Sequence, residues 1–334
     1  MSGGVDSSLT AALLVEAGHE VTGVYMKNWT QDMPGMRCPW ADDLADAKRV
    51  AVHLGIDFKV FDFEAEYKQK VVDYMIAEYE AGRTPNPDIM CNQEIKFKLF
   101  LETALEDAAE FVATGHYARV ADGKLLRAED ANKDQTYFLY RVTRQALQKT
   151  LFPLGDLTKP QVRKMAEERG LTTAAKKDSV GICFVGQIGM REFLSQYVTT
   201  KPGAIIDRRT GTSVGRHDGA IFYTLGQRHG LDVGGGLPYY VVGKDMDKNE
   251  VYVSTDLNDG SLWLKSVTLR DLHWIGARPE TRNFTARVRH RAELVSCSVD
   301  DHILTFDDAQ RAVTPGQSIV LYDGDVCVGG AVVA

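Results

Sequence analysis

The residues best suited to chemistry stand at the start of the chain. Ser2-Gly3-Gly4-Val5-Asp6-Ser7-Ser8 runs directly into Leu9, Ala12, Leu13 and Glu16 at helical spacing. Glycines let a backbone bend tightly and approach a ligand closely. A helix that begins here points its unpaired N–H groups and its dipole at whatever the turn holds, and the serine hydroxyls add donors. The chemistry is anion binding, with phosphate the first candidate. The turn lacks the Gly-Lys-Ser/Thr ending of a Walker loop, which argues against a kinase- or GTPase-type site. A plain Ser/Gly turn capping a helix is the bland alternative. Two cysteines form the second candidate group. Cys91 follows Pro85-Asn86-Pro87-Asp88 at an expected helix start, a position that favours the reactive thiolate. Cys183 lies in a polar loop, Lys176 to Phe184, close to Lys176 and Lys177. Cys297 and Cys327 fall in strand-like runs and read as small buried hydrophobes; Cys38 is ambiguous and leans structural or incidental. Asp88 suits general acid–base work, and equally suits a helix N-cap.

The elements that must position these residues alternate. After the first helix Gly18 acts as a stop. Val21–Met26 and Phe58–Phe61 read as strands, with a helix ending at Gly55 between them. A helix from Glu64 to Ala81, the loop Gly82–Asp88, a helix from about Asn92 to Asp107 and a strand Phe111–Tyr117 follow. Pro160 opens a further helix and Gly170 closes it. Strands alternating with helices predict an α/β, doubly wound parallel sheet. Ligands of such sheets bind beyond the strands' carboxyl ends, which gathers the first loop, Met26 and Gly115-His116 around one crevice. A loop of this kind follows a strand, yet only Met1 precedes it; the native chain is expected to begin earlier. Residues 1–197 form this first domain. Beyond about residue 198 glycine, β-branched residues and short alternations take over, giving a small central β-rich domain over 198–260. Residues 261–334 read as a C-terminal antiparallel β-barrel.

Length and composition bound the rest. A chain of 334 residues with 44% hydrophobic content supports two or three domains and an ample core. No apolar run spans a bilayer and no signal peptide precedes the loop, so a cytoplasmic protein is expected. Five cysteines are too few and too scattered for a disulfide scaffold, and without a Cys-x-x-Cys pair they do not support a zinc ribbon; no metal site is expected. A net charge of −7 does not itself suggest nucleic acid, but phosphate contacts need only local positive charge. Arg278, Arg282, Arg287, Arg289, His290 and Arg291 cluster, and strand alternation puts Arg287, Arg289 and Arg291 on one side. Arg208, Arg209, Arg216 and Arg228 make a looser second group. The bland reading of both is a solvated face.

The string Ser2 to Ser8 resembles the PP-loop of the ATP pyrophosphatase superfamily. Six further stretches narrow the resemblance: Gly82 to Phe97, Ala113 to Tyr117, Asn132 to Leu139, Lys177 to Phe184, Tyr223 to Arg228 and Val313 to Ser318. Together they look like the tRNA-specific 2-thiouridylase family over nearly the whole chain. Departures are the absent first strand, Val180 where the family commonly has threonine, and a shortened Gly234–Pro238 stretch. The resemblance implies ATP-dependent sulfur insertion at the 2-position of the wobble uridine of tRNAs of the Lys, Glu and Gln type. ATP with Mg²⁺ would be held by Ser2, Gly3, Gly4, Val5, Asp6, Ser7 and Ser8, with Met26 and Gly115 against the nucleotide, and would adenylate the uracil 2-carbonyl oxygen. Cys183 matches the persulfide carrier. Cys91 matches the thiol that releases sulfur, leaving a Cys91–Cys183 disulfide. Asn86, Pro87, Asp88 and His116 match positions at the target base, which leaves its stack as in base flipping. Lys133, Asp134, Gln135, Arg289, His290 and Gln317 look like further tRNA contacts, and the central domain is expected to bind tRNA. A sulfur donor, a cysteine desulfurase or a relay protein, is the implied partner. Two rivals stand against this: an amidating PP-loop synthetase that needs neither cysteine, and an RNA-binding module with a dead nucleotide site.

Overall fold

The computed structural model describes residues 1–32, 38–178, 189–234 and 236–334; Cys183 and its neighbours Ser179 to Phe184 lie outside them. The first domain is the α/β unit. Strand Thr22–Lys27 pairs in parallel with Asp57–Asp62, and Val112–Ala113 pairs in parallel with Thr150–Leu151. Helix Trp40–Leu54 packs on the first two strands, and helix Val5–Glu16 packs on Trp40–Leu54 and Lys159–Glu168. Their shared core includes Val5, Leu9, Val50, Tyr117, Leu154, Val162 and Ala166. The amino group of Met1 donates to the Val24 carbonyl, so the chain enters alongside the strand Thr22–Lys27.

Capping chemistry sets most helix ends as the residues dictate. Gly18 and Gly55 take φ of +83° and +66° after their helices. Thr158 and Gln161 form a reciprocal capping box on Lys159–Glu168. One boundary moves. The expected helix at Asn92 begins at Pro87 and runs without a break through 87–106. Asn86 caps it, its Oδ1 accepting from the Asp88 and Ile89 N–H groups at 3.1 and 3.4 Å. Pro87 fits its first turn because that turn needs no N–H. Over Cys91–Leu99 this helix widens to i→i+5 pairing, a feature that recurs at functional sites. The expected strand Phe111–Tyr117 is cut to Val112–Ala113.

The central domain is a four-stranded sheet: Ser213–His217, Gly203–Asp207, Glu250–Ser254 and Tyr240–Asp245, in that spatial order. Ile205, Tyr223, Val241, Val251 and Val253 fill its core. The last domain is a closed antiparallel barrel. Strands Trp263–Trp274, Ile303–Arg311, Val295–Asp300, Asn283–Arg287, Ser318–Asp323 and Val326–Val333 pair in sequence, and Val326–Val333 returns to Trp263–Trp274. Closure removes exposed sheet edges.

The barrel does not stand apart from the first domain. The hairpin Arg119–Ala121 and Lys124–Leu126 adds to its wall, Cys327 facing Leu125 and Val326 facing Leu126. The largest core of the molecule crosses the boundary, joining Ile95, Tyr137 and Tyr140 to Val320, Tyr322 and Cys327. The Tyr137 hydroxyl donates to the Ser318 carbonyl at 2.8 Å. Among the described residues no helix is long and apolar enough to cross a membrane.

Candidate active site

The glycine turn has the shape of an anion cradle. Gly3 has φ +71°, and a Cβ there would lie 2.3 Å from the Asp43 carbonyl oxygen, so only glycine fits. Gly115 closes the other side: a Cβ on it would sit 2.9 Å from the Ser7 nitrogen and 2.8 Å from the Asp6 carbonyl carbon. The strand has already ended at Ala113, and this close approach of Gly115 to the turn keeps it from continuing to Tyr117. The serines organise the turn from within. Ser7 Oγ accepts from the Ser2 N–H at 3.1 Å, and Ser8 Oγ donates to the Gly4 carbonyl at 2.8 Å. Ser8 is buried, whereas Ser2 is exposed and Ser7 half-buried; the Ser2 and Ser7 hydroxyls lie 3.2 Å apart, and that of Ser7 also donates to the Gly4 carbonyl at 3.2 Å.

Behind the turn lies a charge network that the sequence did not announce. Lys159 Nζ binds both Asp6 oxygens at 2.8 and 2.9 Å and Asp178 Oδ1 at 2.8 Å. The Tyr117 hydroxyl donates to Asp6 Oδ1 at 2.9 Å. Asp178 is also met by Lys133 and Arg163, each at 2.7 Å. Burial pushes the Asp178 carboxyl up, but the hydrogen bonds from Lys133 and Lys159 outweigh it and hold the group at about 2. Lys176 bridges Asp43 and Asp46 at 2.7 Å each. These bonds fix the described end of the segment leading to Cys183 against the cradle. Lys159 and Asp178 escaped sequence reasoning because their partners are far away in the chain; only the position of Asp178 within a family-like stretch marked it.

The second half of the site is the loop before helix 87–106 and the start of that helix. Three domains meet at this loop. The Thr84 N–H donates to the Pro315 carbonyl of the barrel at 2.9 Å, and the Thr84 hydroxyl lies 3.1 Å from that of Thr224 in the central domain. Gly316, with φ +89°, packs so closely that a Cβ would fall 2.7 Å from the Thr84 nitrogen, which places Gln317 beside this loop. Glu78, buried, pairs with Arg83 at 2.6 Å and with Arg270 of the barrel. Asp88 follows on the helix, half-buried; desolvation raises its carboxyl and the charge of Lys96 opposes that rise. His116 is buried with its ring 5.7 Å from Phe97 and 6.1 Å from Phe152. Desolvation, aided by Lys96, holds it well below the usual imidazole value, so it is neutral, with Nδ1 2.8 Å from the Thr114 hydroxyl.

Several expected roles change here. Cys91 is not at a helix N-terminus: it is the fifth residue of helix 87–106, its N–H already donates to the Pro87 and Asp88 carbonyls, and it is buried. The dipole effect falls off within the first turn, so that source of activation is weak. The arginine stripe does not form. The strand Asn283–Arg287 ends before Arg289 and Arg291, and Arg291, at φ +63°, turns the chain away. Arg287 points inward and pairs with Asp134 at 2.6 Å, the two side chains being 7% and 1% exposed. Asp134 therefore faces protein, where it also accepts from the Thr136 hydroxyl. Gln135 is engaged too, its Oε1 accepting from the Tyr117 N–H. Arg289 is exposed and His290 half-buried against Phe138, with ring centroids 4.5 Å apart. Met26 is half-buried in the strand Thr22–Lys27. Cys183 lies outside the described residues, and so does its relation to Cys91. Cys297 and Cys327 are buried, and desolvation pushes both thiols up, Cys297 to about 12; both are inert.

Comparison with known proteins agrees with this arrangement in all three domains. Residues 1–187 match the model described as a tRNA methyl transferase HUP domain. Residues 191–255 match a tRNA methyl transferase PRC-barrel domain, and 264–333 an aminomethyltransferase beta-barrel domain. The tRNA-specific 2-thiouridylase MnmA of Stenotrophomonas maltophilia is 50% identical over all of this chain and 92% of its own length. That of Bacillus cytotoxicus is 48% identical over all of this chain and 93% of its own. Among solved structures, an NMN synthetase from Francisella tularensis overlaps 56% of this chain and 66% of its own at 17% identity and a TM-score of 0.37. With a PP-loop cradle, a three-domain order and full-length relatives at about half identity, the chain belongs to the tRNA-specific 2-thiouridylase family.

Proposed function

We propose that this protein uses ATP to replace the 2-oxygen of a tRNA wobble uridine with sulfur. The observation that carries the reading is the cradle of Gly3, Gly115 and Ser2–Ser8 at the start of a helix, in a chain whose full-length relatives carry the thiouridylase name. The cradle fits a nucleotide's phosphates: two glycines admit close backbone approach, and the serine hydroxyls and helix N–H groups supply donors. Mg²⁺ would arrive with the phosphates and neutralise their charge.

In the first step the uracil O2 bonds to the α-phosphorus of ATP, pyrophosphate leaves, and the N3 proton goes to a base. Asp88, partly desolvated, is the base nearest that task. Neutral His116 would accept or donate a hydrogen bond to the ring without repelling a cation. In the second step a persulfide on Cys183 delivers its outer sulfur to C2 and AMP departs. Cys91 then attacks the carrier sulfur, releasing thiouridine and forming the Cys91–Cys183 disulfide, which an external thiol reduces. Cys91 is buried, so this last step needs local opening of its surroundings. The sulfur comes from a donor protein of the cysteine desulfurase or relay class, and the tRNAs are those of the Lys, Glu and Gln type. Arg289, His290 and Gln317 remain the proposed RNA-facing residues, and Lys133 would join them by exchanging its Asp178 partner for a phosphate. Asp134 and Gln135 serve by holding the segment that presents Lys133.

The test is mass spectrometry of nucleosides from unmodified tRNA incubated with protein, a persulfide source and either ATP or S-adenosylmethionine. A product with the mass of uridine in which one oxygen is replaced by sulfur, formed only with ATP, is expected. A methylated nucleoside formed with S-adenosylmethionine would replace this reading with the one that the domain models' names suggest.

A further inference from the structure

One cation at the proposed base site has no assigned task. Lys96 lies on helix 87–106, half-buried, and among the described residues its ammonium takes part in no salt bridge. Its neighbours differ. Lys98 and Lys70 both reach Glu94, at 3.2 and 3.7 Å, and Glu94 also accepts from Gln93 at 2.7 Å. Holding a side chain's charge in a partly buried place without a counter-ion is unfavourable, so the arrangement suits an anion that arrives with a ligand.

The position of Lys96 says which one. Residues four apart on a helix are surface neighbours, and Asp88, Asn92 and Lys96 succeed one another at that spacing on helix 87–106. Asp88, Asn92 and Lys96 therefore share a face. Lys96 acts electrostatically on both Asp88 and His116, and His116 packs on Phe97, the next residue. Between them Asn92 is 3% exposed. Its amide nitrogen donates to the Phe138 carbonyl at 3.0 Å, while its Oδ1 has no protein partner. Among the described residues, a cation without a salt bridge and a buried acceptor without a partner thus lie four residues apart on the helix that carries Asp88. An adenylated uracil presents a phosphate anion beside the reacting carbon.

We propose that Lys96 is a catalytic residue that contacts the phosphate of the adenylated base and stabilises the charge that leaves with AMP. The inference rests on the thiolation reading above. When the persulfide's outer sulfur, as its anion, bonds C2, the C2–O bond breaks and AMP carries off its electron pair. The phosphate passes from one negative charge to two, nothing is oxidised, and Lys96 keeps its proton throughout. A preorganised cation at developing charge is worth far more in such a place than in water.

The experiment is single-turnover thiolation of an unmodified tRNA transcript, with ATP and a persulfide donor, by wild type, Lys96→Gln, Lys96→Met and Lys96→Arg. Adenylated tRNA, thiolated tRNA, tRNA affinity and melting temperature are read in each. Lys96→Gln is expected to lower the thiolation rate about 10²–10³-fold and let adenylated tRNA accumulate, with melting temperature and tRNA affinity unchanged. Lys96→Met, which keeps the aliphatic stem, should behave the same way, and Lys96→Arg should recover at least about tenfold. Thiolation by Lys96→Gln within about threefold of wild type would overturn the inference. So would equal losses in all three variants accompanied by a fall in melting temperature, which mark a structural lysine. Wild type that makes no 2-thiouridine would overturn the thiolation reading and the inference with it; an active wild type beside an active Lys96→Gln sinks the inference alone.

Discussion

Asp134→Asn separates two roles for a residue that resemblance places at RNA and the fold places inside the protein. Asp134 and Arg287 meet at 2.6 Å with both side chains almost fully covered. The substitution keeps size and an acceptor for the Thr136 hydroxyl, but leaves the Arg287 guanidinium buried without a counter-charge. Arg287 already has an Nε with no partner, so little spare bonding exists to absorb the loss. Breaking a buried pair by removing one partner costs about 3–5 kcal/mol. With about 2–4 °C of melting temperature per kcal/mol for domains of this size, Asp134→Asn should melt about 6–20 °C below wild type. The double variant Asp134→Leu with Arg287→Met removes both charges and should recover most of that, since apolar replacement of a buried pair is often neutral. Thermal denaturation followed by circular dichroism reads both, and tRNA affinity is measured well below the transition. A variant that melts within about 2 °C of wild type but binds tRNA poorly would refute the argument and return the carboxylate to the RNA surface.

Four further variants have expected outcomes. Cys183→Ser should permit adenylation, read as pyrophosphate release, but form no thiolated product; Cys91→Ser should accept a persulfide and stall before release, and sustained multiple turnover by it would remove Cys91 from the chemistry. Gly3→Ala forces a Cβ to 2.3 Å from the Asp43 carbonyl at a φ of +71°, so pyrophosphate release should be lost; normal release would mean that the turn is not the phosphate cradle. Burial first, then Arg291 and Arg287, lower the His290 imidazole to about 4. Its contribution to stability is therefore complete above its unfolded value near 6.5 and is lost as pH falls through about 4. His290→Gln should flatten the stability–pH curve between those limits, and an unchanged curve would show that His290 is not the group that titrates.

Much of the fold was legible because local chemistry decides it. Gly18, Gly55, Pro160 and Gly170 mark helix ends through backbone conformation alone, and the alternation past residue 198 can only be read as short strands. The shifted start of helix 87–106 was missed because Asn86 and Pro87 also read as ordinary loop residues; only the cap bonds from Asn86 Oδ1 show that the helix begins there. The stripe of Arg287, Arg289 and Arg291 failed for a related reason. Period-2 alternation holds only while the strand lasts, and the strand stops at Arg287.

By itself the sequence determined the order of the domains and the family, because glycine conformation, helix capping and side-chain alternation act between near neighbours. Which charges are spent inside the protein and which remain for a ligand was decided by the tertiary structure. Lys159 is paired with Asp6 and Asp178 and Arg287 with Asp134, whereas Lys96 has no salt bridge among the described residues. A charged side chain looks the same in a sequence whether its partner is water, a carboxylate far along the chain or a phosphate, and only folding brings the competitors within reach of one another.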